Sequence, residues 1–145
     1  MQTKFMAALA VCGSLLGVGL TRSVVLAQGA QTVWSGIYTA EQAARGKEKA
    51  LAECGQCHGE MMEGALAPTL KGDDFIGHWY DAKLRELSDK VTMTMPQQAP
   101  GSLSPEDYAD IMAYLLELNG FPAGQTALSL TPPEALDAIT ITKQQ

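Results

Sequence analysis

Cys54-Gly-Gln-Cys57-His58 is where the reading of this chain begins. Two cysteines three apart, with a histidine directly after the second, form a covalent haem attachment site. The spacing has a geometric reason. Two thioether bonds must reach vinyl groups on neighbouring edges of one porphyrin, and a single turn of chain spans them. His58 then lies beneath the iron as its proximal ligand. Two other uses of a cysteine pair compete with this reading. A zinc site needs about four ligands, and beyond position 27 the Cys and His residues are only Cys54, Cys57, His58 and His78. A redox dithiol of the thioredoxin kind sits in a βαβ setting, and no parallel-strand pattern appears here.

An iron that shuttles electrons without binding small molecules needs a second axial ligand, and a methionine thioether raises its reduction potential. That ligand must come from a segment well downstream that crosses to the other face. Met61 and Met62 lie too near His58, and Met112 falls on the core stripe of a predicted helix. Met93 and Met95 remain, 35 and 37 residues after His58, with His78 as the bis-histidine alternative. Pro96 favours Met95, because proline fixes its own φ and holds the preceding residue extended. In an extended Met-Thr-Met both methionines point the same way, so Met93 packs beside the haem or stands in for Met95. His78 is read as a loop residue beside Trp79, near the haem edge.

The 145 residues suit one domain. The 46% hydrophobic and 18% charged residues suffice for a globular core and argue against wholesale disorder. Aromatics at 6% are thin for that core, and a large apolar cofactor makes up the deficit. Residues 1–27 read as a signal peptide: a basic start at Lys4, an apolar run over 5–20, and Val25-Leu-Ala27 at the cleavage site. A retained anchor is the weaker reading, since that run is shorter than the ~20 residues of a spanning helix and Arg22 interrupts it. Loss of Lys4, Arg22 and Cys12 leaves eight basic against sixteen acidic residues, a net of −8. This excludes nucleic acid, which needs a basic footprint, and calls for a partner presenting positive charge.

Helix signals are strongest near the two ends of residues 39–120. Thr39, with Gln42 three residues on as in a capping box, opens a helix over 39–53. Its apolar face is thin (Ala43, Ala50, Leu51, Cys54), and Gly46 implies close backbone contact with something bulky. A short helix over 82–90, capped by Asp81, carries Leu84, Leu87 and Val91, and a loop over 91–103 follows. Ser104-Pro105-Glu106-Asp107 caps the clearest helix. Its stripe is Tyr108, Ile111, Met112, Leu115 and Leu118, and Asn119-Gly120 stops it. Thr131-Pro-Pro-Glu134 caps a short turn, with 139–141 extended. No internal repeat, phosphate-binding glycine loop or hydrolytic triad is present.

Two helices flanking an early Cys-x-x-Cys-His, with a late Met-Pro, resemble the small class I c-type cytochromes over about 40–120. The chain looks most like those that work with quinoprotein (PQQ-dependent) dehydrogenases. The stretches carrying this likeness include Trp34-Ser-Gly-Ile-Tyr-Thr39, Arg45-Gly46, Ala67-Pro-Thr-Leu70, Thr94-Met-Pro96, Pro100-Gly-Ser-Leu-Ser104 and Asn119-Gly-Phe-Pro-Ala-Gly124. The resemblance implies an all-α fold whose N- and C-terminal helices cross around one covalent haem c. Residues 28–38 and 121–145 then form extensions to a domain over 39–120. It further implies thioethers at Cys54 and Cys57, His58 and Met95 as axial ligands, a Pro68 carbonyl orienting His58, and Leu70 and Trp79 against the haem. Gly46 would let the first helix cross the last at Tyr108 or Met112. Ala50 stands where the family usually carries an aromatic. The implied role is a periplasmic one-electron carrier between a dehydrogenase donor and a cytochrome or oxidase acceptor, catalysing no substrate chemistry and taking no small-molecule substrate. A cytochrome subunit docked permanently on its dehydrogenase is the alternative, and a haem sensor or enzyme with an open iron a more distant one.

Overall fold

The computed structural model describes residues 31–144, and the signal peptide read at 1–27 lies outside them. Five helices run in chain order among the described residues: α1 Ala40–Glu53, α2 Gly55–His58, α3 Gly72–Trp79, α4 Leu84–Thr94 and α5 Pro105–Leu118. Two strands of two residues each, β1 Gln31–Thr32 and β2 Ile139–Thr140, pair in parallel. The fold is therefore all-α in substance.

The scaffold is the crossing of α1 over α5. A Cβ on Gly46 would overlap the carbonyl of Asp110, so the helices meet backbone to backbone. What Gly46 accommodates is thus the main chain of Asp110 and Ile111 rather than the side chain of Tyr108 or Met112. Arg45 reinforces the crossing with a bidentate grip on Asp110, Nε and Nη2 lying 2.7 and 2.8 Å from its two oxygens. Ser104 caps α5 as expected, its hydroxyl accepting from the Asp107 N–H. The helix is buried beyond its predicted stripe, because it serves two cores. Met112, Ala113 and Leu116 pack with the terminal segments. Ile111, Tyr114 and Leu115 pack with Ala50 and Met62, and these large neighbours surround the small side chain of Ala50.

Several expectations are corrected. Thr39 caps α1, but Gln42 does not complete the capping box. Its buried amide turns to the tail, donating to the Leu128 carbonyl at 2.9 Å and accepting the Leu128 N–H at 2.7 Å. Leu51 is more than a third exposed and sits off the apolar face. Asp81 does not cap the next helix; it adopts φ +67°, and Glu86 reaches back to the N–H of Lys83 instead. That helix, α4, runs to Thr94 rather than Lys90. It ends there because Pro96 bars Met95 from helical geometry, and Met95 is extended at φ −126°. Residues 72–79 form α3, which takes His78 out of the expected loop, with Asp73 and Asp74 in its first turn where acids favour a helix N-terminus.

The two terminal segments clasp each other and close the larger core. Tyr38 donates to the Phe121 carbonyl at 2.6 Å, and the Trp34 indole donates to that of Thr142 at 2.9 Å. Trp34 and Phe121 meet edge to face. The turn Pro133–Ala138 and extended β2 occur, but Thr131–Glu134 supplies no side-chain cap: the residue at the head of the turn is Pro132, which has none to give. Val33, Tyr38, Leu128, Leu136 and Ile141 are buried, so residues flanking 39–120 contribute much of the apolar interior.

Candidate functional site: a cavity beside the Cys-x-x-Cys-His turn

Cys54 ends α1, its N–H bonded to the Ala50 carbonyl at 2.8 Å. α2 begins at the next residue, Gly55, and the N–H groups of Cys57 and His58 both donate to the Cys54 carbonyl. Positions i, i+3 and i+4 of a helical turn share a face, so both thiols and the imidazole line one cavity. Gly59, at φ +86°, then reverses the chain. The Cys57 carbonyl receives the N–H groups of Leu66 and Ala67, at 3.0 and 2.9 Å, and this fold-back delivers Pro68 to His58.

The Pro68 carbonyl lies 2.7 Å from His58 Nδ1. A carbonyl only accepts, so Nδ1 carries a proton, and in the neutral imidazole Nε2 then keeps its lone pair. That is the state a metal-ligating imidazole requires, with its orientation fixed by the second nitrogen. His58 is buried. Burial also pushes the free Cys54 thiol up to about 11, with Glu53 and then Cys57 adding to the rise. A dithiol exchanger needs the reverse, a thiol lowered toward neutrality.

The cavity has a volume of about 540 Å³, within the range of cofactor sites. Phe75 and Trp79 of α3, Leu87 and Val91 of α4, and Ile111 and Leu115 of α5 give it apolar walls. Leu70 lies on it too, its carbonyl accepting from Asn119 Nδ2 at 3.0 Å; the same side chain accepts the N–H of Gly72. Asn119 thus ties the end of α5 to the Pro68–Leu70 loop and to the start of α3.

Of the sequence-derived residues, Cys54, Cys57, His58, Pro68, Leu70, Trp79 and Met95 all line this cavity. His78 lines it as well, from α3 rather than a loop, with its ring against Trp79. Met93 does not. It lies in the last turn of α4 and is 71% exposed, so the extended Met-Thr-Met is corrected and Met93 does not pack beside the site. Met61 is exposed, while Met62 and Met112 are fully buried elsewhere. Met95 is the one methionine on the cavity among the described residues. Sequence reading missed Phe75, Leu87, Gln97 and Gln98 as lining residues; the proximity of Met95 and Pro96 was the only signal for the last two.

A helical fold with this turn opening onto an apolar cavity defines a class I c-type cytochrome. The chain belongs to the family described as cytochrome C oxidase, cbb3-type, subunit III, whose model matches residues 41–115. No curated protein matches it. Among solved structures, the sulfane dehydrogenase SoxCD from Paracoccus pantotrophus is similar, with a TM-score of 0.56 and 24% identity. The likeness covers 86% of this chain and 68% of that one, and at this identity it concerns the fold. The family carries covalently bound haem c, and the residues present suit it: two thiols and a Nδ1-protonated imidazole on one face of an apolar cavity.

Proposed function

We propose that the chain is an exported one-electron carrier whose Cys54 and Cys57 hold the haem thioethers and whose His58 and Met95 are the axial ligands. The observation that carries this reading is the pairing, on one cavity, of an oriented His58 with the sole cavity-facing methionine of the described residues. When bound, the haem supplies an iron that gains and loses one electron. The chain's own residues do the rest. Pro68 holds the proton of His58 at Nδ1 and leaves Nε2 free to ligate. Leu70, Phe75, Trp79 and Leu115 exclude water, and a dry pocket keeps charge changes at the iron from being screened. Two protein ligands leave no open position, which favours a carrier over an enzyme or gas sensor.

The signal peptide read at 1–27 supports a periplasmic location. No helix of the described residues is long and apolar enough to cross a membrane. The cbb3-type family name supports an oxidase or cytochrome acceptor, and the sulfane dehydrogenase likeness a dehydrogenase donor, with a quinoprotein dehydrogenase as the specific proposal. The net of −8 beyond residue 27 suits partners with basic docking surfaces. Reduced protein at neutral pH is expected to keep its spectrum under carbon monoxide. Rapid formation of a carbonyl complex would show an open iron and overturn the carrier reading.

A further inference from the structure

Tyr108 occupies the first turn of α5 and is 4% exposed. As a core residue its ring alone would serve, yet its hydroxyl is directed at one atom of the site. It donates to the carbonyl of Met95 at 2.7 Å. Carbonyls at a helix end lack an intrahelical partner, and Met95 is the residue that ends α4. Its N–H is held by the Val91 carbonyl at 3.1 Å. Both polar groups of the Met95 backbone are therefore fixed, one by α4 and the other by α5.

The anchor is itself fixed. α5 crosses α1 in backbone contact at Gly46 and Asp110, locked by Arg45, and α1 ends at Cys54. One rigid pair of helices thus carries a haem-anchoring cysteine at the end of α1 and the tether to Met95 on α5. Beyond Met95 the backbone bonds of this segment are those of its own turns, Ala99 N–H to the Pro96 carbonyl and Ser102 N–H to that of Ala99, and Gln98 Nε2 lies 4.0 Å from Cys57 Sγ.

We propose that Tyr108 is a positioning residue that holds the Met95 backbone so that its thioether stays on the iron and outside ligands stay off. This rests on Met95 being the distal ligand. A buried hydrogen bond of this kind contributes modestly, but the bond it protects is to a weak thioether donor. A small loss therefore shows directly in the fraction of open iron.

The test is imidazole binding to the ferric haem-loaded protein, since imidazole enters only where the thioether has left. Tyr108→Phe keeps the ring and removes the hydroxyl, and it is expected to bind imidazole roughly 2- to 10-fold more tightly. Its iron–thioether absorption band should also fade on heating before the protein unfolds. Tyr38→Phe is the control, since it deletes a comparable tyrosine-to-carbonyl bond, 2.6 Å to Phe121, in the terminal clasp. It should leave imidazole affinity unchanged. Unaltered affinity in Tyr108→Phe, or an equal rise in both variants, overturns the proposal. Met95→Ala separates the two levels. If it retains the band, the Met95 assignment falls and the role of Tyr108 with it. If it loses the band while Tyr108→Phe behaves as the parent, only the role of Tyr108 falls.

Discussion

Met93 and Met95 stand two positions apart, and the end of α4 runs between them. Met93 is the one methionine of α4 and faces solvent, whereas Met95 is extended and lies on the cavity. Met95→Ala should therefore abolish the iron–thioether band and lower the reduction potential, while Met93→Ala leaves both unchanged. Visible spectroscopy and a redox titration of the two variants check this. The reverse pattern moves the ligand by two residues. Indifference of both, with carbon monoxide uptake in His78→Ala, makes the iron bis-histidine. At this scale the sequence was most legible where chemistry is local. Cys54, Cys57 and His58 share one helical turn, so spacing alone places them together. Met95 was legible because Pro96 dictates the backbone before it. The place of Met93 was not, since it depends on where a helix ends, and that end was read four residues early.

Helix ends and helix crossings set what can be read one level up. α1 and α5 announce themselves through Thr39, Ser104 and Pro105, whose capping roles are local. The short helix α3 does not, because eight residues with one glycine at the start, Gly72, and another inside, Gly77, carry little helical preference of their own. Packing of Phe75, Ile76 and Trp79 on the core holds it. Gln42 was misread for a similar reason, as its partner Leu128 is 86 residues away. Gly46 gives a test whose sign decides. Helix propensity alone would make Gly46→Ala stabilising by about 1 kcal/mol. The added Cβ would, however, overlap the Asp110 carbonyl, which no rotamer change relieves. A net destabilisation of about 1–3 kcal/mol is expected, read as a lower denaturation midpoint. A gain in stability would mean that the helices do not cross in backbone contact there.

Across the whole molecule, the terminal segments do more than extend a cytochrome domain. Residues 31–39 and 121–144 close over the larger core, and their juxtaposition, resting on contacts roughly a hundred residues apart such as Trp34 to Thr142, left no local trace in the sequence. Tyr38 lies at the centre of this clasp. Its phenol is pushed up from 10.0 to about 12, chiefly by burial and secondarily by Glu117. A raised folded-state value means that folding favours the neutral phenol. The corresponding stability is complete below the unfolded value and is lost as pH rises from about 10 toward about 12. Denaturation midpoints should fall through this window in the parent. Tyr38→Phe should start lower and fall less steeply; parallel slopes would show that Tyr38 does not ionise on unfolding.

At the same scale the covalent cofactor stands at the centre of the molecule. Two thiols on one turn, an oriented imidazole and an apolar cavity of about 540 Å³ converge on a haem that cannot be washed out. Intact-mass spectrometry of the mature protein after denaturation tests this most directly. A chain beginning at Gln28 is expected, with the mass of one haem added and no free thiol at Cys54 or Cys57. Haem extracted by acid acetone, with both cysteines unmodified, would contradict it.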